Sequence, residues 1–211
     1  MTIGIIDYGM GNLGSVSNAC RFLDLPASII ATPEEFAGCD GLILPGVGAF
    51  GDCMAHLESH GFVEPIKKWI VDDRPFLGIC LGLQVLFSSS EESPSVPGLG
   101  ILPGVVRKFP AQNELKVPQI GWNRVRKAAP DCPLFKGIGH DRHFYFVHSF
   151  YVDCEDSSLI AGITNYGLDY TSVVCRSRLM AVQFHPEKSQ QDGLTLLRNF
   201  AGTIETRYAT V

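Results

Sequence analysis

Two short stretches bring together residue types that can do chemistry. The first is Phe76-Leu77-Gly78-Ile79-Cys80-Leu81-Gly82-Leu83-Gln84, an apolar strand-like run that enters Gly-x-Cys-x-Gly and then a helical pattern. This is the nucleophile-elbow arrangement with cysteine in the place of serine. The turn is so sharp that a Cβ two residues before or after the nucleophile would strike the neighbouring strand or helix, which calls for Gly78 and Gly82. The thiol then stands at the tip of the sheet, at a helix N-terminus whose partial positive charge suits an anionic sulfur. The second stretch is Ala181-Val182-Gln183-Phe184-His185-Pro186-Glu187-Lys188-Ser189. A strand delivers His185, the proline ends it, and Glu187 can fold back onto the imidazole. A cysteine nucleophile needs a base, and the base needs a partner that fixes its tautomer.

The elements that must position these groups can be read from apolar spacing. Strands are expected at Ile3–Asp7, Ala27–Ala31, Gly41–Leu44 and Phe76–Ile79. Helical patterns fall at Asn12–Leu23, at Phe50–Val71 with breaks near Gly61 and Pro65, and at Leu81–Phe87. Strand–helix alternation of this kind argues for an α/β fold, a parallel sheet with helices on both faces. After a loop at Ser88–Gly104 the texture turns to strands: Val105–Phe109, Asn123–Arg126, His143–Val147, Ser158–Thr164, Tyr170–Arg176 and Leu179–Gln183. These read as antiparallel hairpins laid beside the parallel core, closed by a helix at Gly193–Ile204. With no repeat or linker, residues 1–211 are expected to form one domain.

Composition narrows the class. The chain has 211 residues, 45% apolar and 18% charged, which excludes disorder, collagen-like repeats and coiled coil. Net charge is -5 and no run of Lys or Arg exceeds two, so the footprint of a nucleic-acid binder is missing. The start meets Asp7 after a few residues and lacks a basic leader region, and no apolar run approaches the roughly 20 residues that span a bilayer. The seven cysteines are scattered and form no CxxC pair, so neither a disulfide framework nor a zinc site is suggested, and a reducing cytoplasm is expected. Apart from Cys80 they read as small core hydrophobes.

Gly-Ile-Cys-Leu-Gly-Leu-Gln with a downstream Phe-His-Pro-Glu resembles the class I, or triad, glutamine amidotransferases. Asp7-Tyr8-Gly-Met-Gly-Asn12-Leu-Gly-Ser15, Leu44-Pro-Gly-Val-Gly-Ala-Phe50, Gln119-Ile-Gly-Trp122-Asn123, Phe144–Phe150 and Lys188-Ser189 narrow the likeness. Within that family they resemble the glutaminase subunits of imidazole glycerol phosphate synthases, which serve histidine biosynthesis, over essentially the whole chain. Two positions depart from the pattern: Leu83 where methionine is common, and Phe150 where tyrosine is common, which removes a hydroxyl near the expected substrate pocket.

The resemblance implies an open, doubly wound, flavodoxin-like mixed sheet carrying the elbow. It implies Cys80 as nucleophile, His185 as base and Glu187 as orienting acid, with L-glutamine hydrolysed through a γ-glutamyl thioester and no cofactor or metal. Oxyanion donors are expected from the backbone of Leu81 and from Val47 or Gly48. Gln84 lies one helical turn after Cys80 and can face the thiol; with His148, Ser149 and Gly48 it is expected around the glutamine. Asn12, Gln119, Trp122, Asn123 and Lys188 are expected to face a (β/α)8-barrel cyclase subunit that receives the ammonia. A peptidase or γ-glutamyl hydrolase on the same sheet, or a glutamine-sensing module with a dead triad, are the competing readings.

Overall fold

A computed structural model describes residues 1–110 and 115–205. Five parallel strands form one half of the sheet, in the order β2-β1-β3-β4-β12: β1 (Ile3–Ile6), β2 (Ala27–Ile30), β3 (Gly41–Gly46), β4 (Phe76–Cys80) and β12 (Leu179–Val182). Every residue of β1, β3, β4 and β12 is buried, as continuous apolar runs must be when both faces of a parallel sheet are covered. Alternate side chains serve two separate cores. Leu42, Leu44, Phe76, Leu179 and Ala181 pack with α2 (Phe50–Ser59) and α3 (Val63–Val71). Ile3, Ile5, Ile43, Leu77, Met180 and Val182 pack with α1 (Leu13–Phe22) and α5 (Gln190–Glu205). Each fully buried large side chain contributes about 1.5–3 kcal/mol.

The expected break in the helical stretch 50–71 falls at Gly61 alone. Gly61 has φ +73, and its N–H bonds Glu58 O while the N–H of Phe62 bonds Leu57 O, a Schellman close to α2. Pro65 does not interrupt anything. It sits in the first turn of α3, where its missing N–H would have no helical partner.

The second half of the sheet is antiparallel. It comprises β6 (Gly104–Lys108), β7 (Gln119–Lys127), β8 (Arg142–His148), β9 (Phe150–Cys154), β10 (Ile160–Asn165) and β11 (Asp169–Arg176). The order continues β12-β11-β10-β7-β8, with β9 bridging β11 and β6, and a two-residue β5 (Ser89–Ser90) lying parallel to β6. The hairpin texture read from the sequence is present. Three differences stand out. Residues 150–154 form a strand that the sequence reading did not assign, and β7 begins four residues earlier than expected. A short helix α4 (Leu81–Gln84) replaces the longer one expected at Leu81–Phe87, because the chain tightens into three-residue turns, Leu86 N to Leu83 O and Phe87 N to Gln84 O. No helix among the described residues is long and apolar enough to cross a membrane.

Candidate active site

Cys80 ends β4 at φ 56 and ψ -108, a conformation that L-residues rarely adopt and that persists only where the surroundings enforce it. The two flanking glycines show what enforces it. A Cβ on Gly78 would come within 2.5 Å of Gly82 O, and one on Gly82 would overlap Leu44 O of the adjacent β3. The steric reason for Gly-x-Cys-x-Gly is therefore met on both sides. α4 is only one turn long, so a helix macrodipole contributes little at the sulfur.

β12 lies beside β4, with Val182 opposite Ile79, so the residues after Val182 run alongside Cys80. His185 Nδ1 donates to Glu187 Oε1 at 2.9 Å, and both side chains are almost fully buried. Its other ring nitrogen, Nε2, is buried without a hydrogen-bond partner. Burial opposes the imidazolium, but the Cys80 sulfur and the Glu187 carboxylate outweigh it and push His185 up to about 10. The sulfur thus acts on the ring without a well-formed hydrogen bond between them. Ser189 fixes the backbone of the histidine: its hydroxyl donates to His185 O at 2.6 Å and accepts from Tyr145 N at 2.9 Å.

A cavity of about 380 Å³ opens over the sulfur, lined by Val47, Gly48, Cys80, Leu81, Gln84, Ser149, His148 and His185. Every expected oxyanion and substrate residue is thus gathered round one space, whereas Glu187 stands behind His185 and does not line it. Phe150, Val147, Glu92 and Pro118 complete the wall. A larger surface cleft of about 570 Å³, between Pro133, Arg178 and Arg198, is lined by neither cysteine nor histidine. Gly48 has φ +100, and any Cβ there would come within 2.7 Å of the Met10 methyl carbon. Just before it, the buried Tyr8 hydroxyl donates to Pro45 O at 3.0 Å and accepts from the Cys53 thiol, tying down the strand that precedes the expected oxyanion segment.

His148 is held inside the protein. Nδ1 donates to Phe150 O at 2.8 Å, and burial pushes the imidazole down to about 4 against that bond. The neutral Nε2 can only accept, and the Tyr170 hydroxyl lies 3.2 Å away. That hydroxyl also lies 3.0 Å from Gln119 Oε1, while Gln119 Nε2 has no partner. One proton cannot serve two acceptors, so the satisfied arrangement has the Gln119 amide presenting its nitrogen to Tyr170. With both nitrogens engaged, His148 offers the cavity ring surface and backbone, not a free imidazole nitrogen. Phe150, whose missing hydroxyl was noted in the sequence, contributes its carbonyl to both His148 and Gln84.

The expected partner face needs correcting. Gln119 is 2% exposed and turned inward, because β7 starts at Gln119 and its side chains alternate from there. Asn123 shares that inner face, and its amide donates to Asn165 O at 2.8 Å. Ile120 and Trp122 point outward, 63% and 48% exposed. The segment read as a turn entering a strand, so the alternation that turns Gln119 inward and Ile120 outward was not applied to it. Lys188 is exposed. Asn12 is partly buried at the start of α1, where its side chain accepts from Ser15 N at 3.4 Å.

Comparison with known proteins shows the family to which the chain belongs. A family model described as glutamine amidotransferase class-I matches residues 5–203. The chain is 48% identical to the imidazole glycerol phosphate synthase subunit HisH of Desulfitobacterium hafniense, over 94% of this chain and 92% of that one. It is 49% identical to the same-named subunit of Syntrophotalea carbinolica, over 94% and 98%. Among solved structures, PurLQS from Thermotoga maritima superposes with a TM-score of 0.77 at 16% identity, over 95% of this chain and 97% of that one, a likeness of fold.

Proposed function

The chain belongs to the class-I glutamine amidotransferases and, within them, to the family of imidazole glycerol phosphate synthase HisH subunits, and on that premise we propose that its 211 residues act as one glutaminase domain that feeds ammonia to a cyclase. Cys80 Sγ attacks the side-chain amide carbon of L-glutamine. His185 takes the thiol proton and returns it to the departing nitrogen, which leaves as ammonia. Water then hydrolyses the γ-glutamyl thioester, with His185 again as base, to give glutamate. Glu187, on Nδ1, holds the ring so that Nε2 is the nitrogen that makes this exchange and stabilises the imidazolium that carries the proton. Leu81 N–H and a donor from Val47 or Gly48 receive the oxyanion, the charge whose stabilisation is commonly the largest catalytic contribution. Gln84, Ser149, Gly48 and the His148 backbone hold the glutamine.

The reading rests on one observation above the others: a strained cysteine and a carboxylate-paired histidine meet at a cavity of amino-acid size. Ile120 and Trp122 are the apolar centre of the surface offered to a (β/α)8-barrel cyclase subunit, with Lys188 and Asn12 at its edge and Gln119 and Asn123 bracing the strand from within. A sealed passage between the subunits keeps ammonia from protonating in water. Seven free thiols fit a cytoplasmic setting.

The test is glutamate release from glutamine by the chain alone, with a barrel cyclase subunit, and with that subunit loaded with its phosphoribosyl-formimino substrate. Strong stimulation in the loaded complex is expected. Cys80→Ala should abolish glutamine-dependent turnover and leave synthesis from ammonium salts intact. No hydrolysis in any of the three settings, with Cys80 still alkylatable, would move the protein to another amide or peptide substrate.

A further inference from the structure

Gln183 is wholly buried two residues before His185, on the same side of the chain, and no step above uses it. Its side-chain Nε2 lies 3.7 Å from Cys80 Sγ, and its Oε1 lies 3.1 Å from Gln84 Nε2. The direction of this chain of contacts is forced. Gln84's amide touches Phe150 O at 3.0 Å, and a carbonyl can only accept, so Gln84 presents its nitrogen there. The same nitrogen faces Gln183, which must therefore present oxygen. That leaves the Gln183 N–H group aimed at the sulfur.

From this geometry we propose that Gln183 is a further catalytic residue, a fixed amide donor to the Cys80 sulfur whose orientation is locked by Gln84 and the Phe150 carbonyl. It complements His185, which exchanges a proton with the sulfur. Gln183 keeps its protons and favours the anionic form of the sulfur, since a hydrogen bond to a charged acceptor is about twice as strong as one between neutral groups. The same side chain joins nucleophile and pocket: Gln84, expected against the glutamine, holds the amide that holds the sulfur. The proposal deepens the glutaminase reading by adding a residue to its site. Its test is nevertheless a reaction of the thiol alone.

The experiment is the rate of Cys80 alkylation by iodoacetamide from pH 5 to pH 9, read by peptide mass on the full chain. Gln183→Met keeps the volume and removes the donor. Gln183→Glu keeps the shape and can still accept from Gln84, but places a carboxylate against the sulfur. We expect Gln183→Met to slow alkylation at neutral pH by about tenfold, the equivalent of one pH unit, and to move the profile alkaline by about that amount. Gln183→Glu should slow it further. Gln84→Met, which unlocks the amide without removing it, should fall between Gln183→Met and wild type. An unchanged profile in whichever Gln183 variant folds, judged by circular dichroism, would overturn the proposal. Because neither glutamine nor a cyclase is present, an unchanged profile beside normal glutamine hydrolysis would refute the role of Gln183 alone. A shifted profile in the variants, with no glutamine hydrolysis by the wild-type chain in any of the three settings above, would uphold it and refute the glutaminase reading.

Discussion

The parallel and antiparallel halves of the sheet treat their side chains differently. In β1, β3, β4 and β12 both faces are buried, and each residue has a neighbour above, below and beside it. Such surroundings can hold Cys80 in an unfavourable backbone conformation, with Gly78 and Gly82 packed so close to neighbouring backbone that neither has room for a Cβ. In β7 burial alternates, with Gln119 and Val125 inward and Ile120, Trp122 and Arg124 outward. The parallel strands around β4 have the rigidity to aim a nucleophile, and β7 has a free face to offer. The site lies at their seam, where β12 pairs parallel with β4 and antiparallel with β11 and then runs on to His185.

The largest effect should come from attacking the rigid half. Gly82→Ala inserts a methyl group against Leu44 O, and it should destabilise the fold by about 3 kcal/mol and remove glutamine turnover by displacing the elbow. Near-normal turnover with an unchanged melting temperature would show that the elbow relaxes freely, and the contrast between the halves would fail. On the open half, Trp122→Ala should leave the melting temperature nearly untouched while weakening association with a cyclase subunit about 30-fold, close to 2 kcal/mol. Titration calorimetry decides it: unchanged affinity together with lost stability would make Trp122 a packing residue.

The smallest effect concerns the buried polar groups at the seam. His148 is pushed down to about 4 in the folded chain, whereas the unfolded chain binds its proton near 6.5. Between those values the unfolded state holds the extra proton, so stability is full above pH 6.5 and falls as pH drops towards 4. His148→Gln should remove about 1 kcal/mol of that loss over the first pH unit below 6.5, read as the difference between wild-type and variant denaturation curves. Parallel curves would mean that His148 takes up its proton without cost.

The elbow was legible because its requirement is local: a turn that sharp needs glycine at two fixed offsets. His185 and Glu187 were legible because proline and a two-residue spacing fold one onto the other. The fully buried strands announced themselves as apolar runs. What escaped was set by distance or by phase. Gln183 meets Cys80 across more than a hundred residues, with no periodic signal to mark the pair. The inward turn of Gln119 escaped because the facing of a strand residue depends on where the strand begins, and Phe150–Cys154 because it follows β8 after a single residue, Ser149.

The placement of β12 also bears on how the protein is made. It slots between β4 and β11, yet it is translated after both. A ribosome that has just released β4 presents an unpaired, wholly apolar strand edge, the kind of surface that invites mispairing with other chains. That edge stays open until about a hundred further residues have been synthesised. Only when Leu179–Val182 closes it does His185 arrive beside Cys80. Nascent chains and chains truncated before residue 179 therefore carry Cys80 without His185 and with one side of β4 unpaired. The last strand to be translated is the one that both protects the sheet and arms the site.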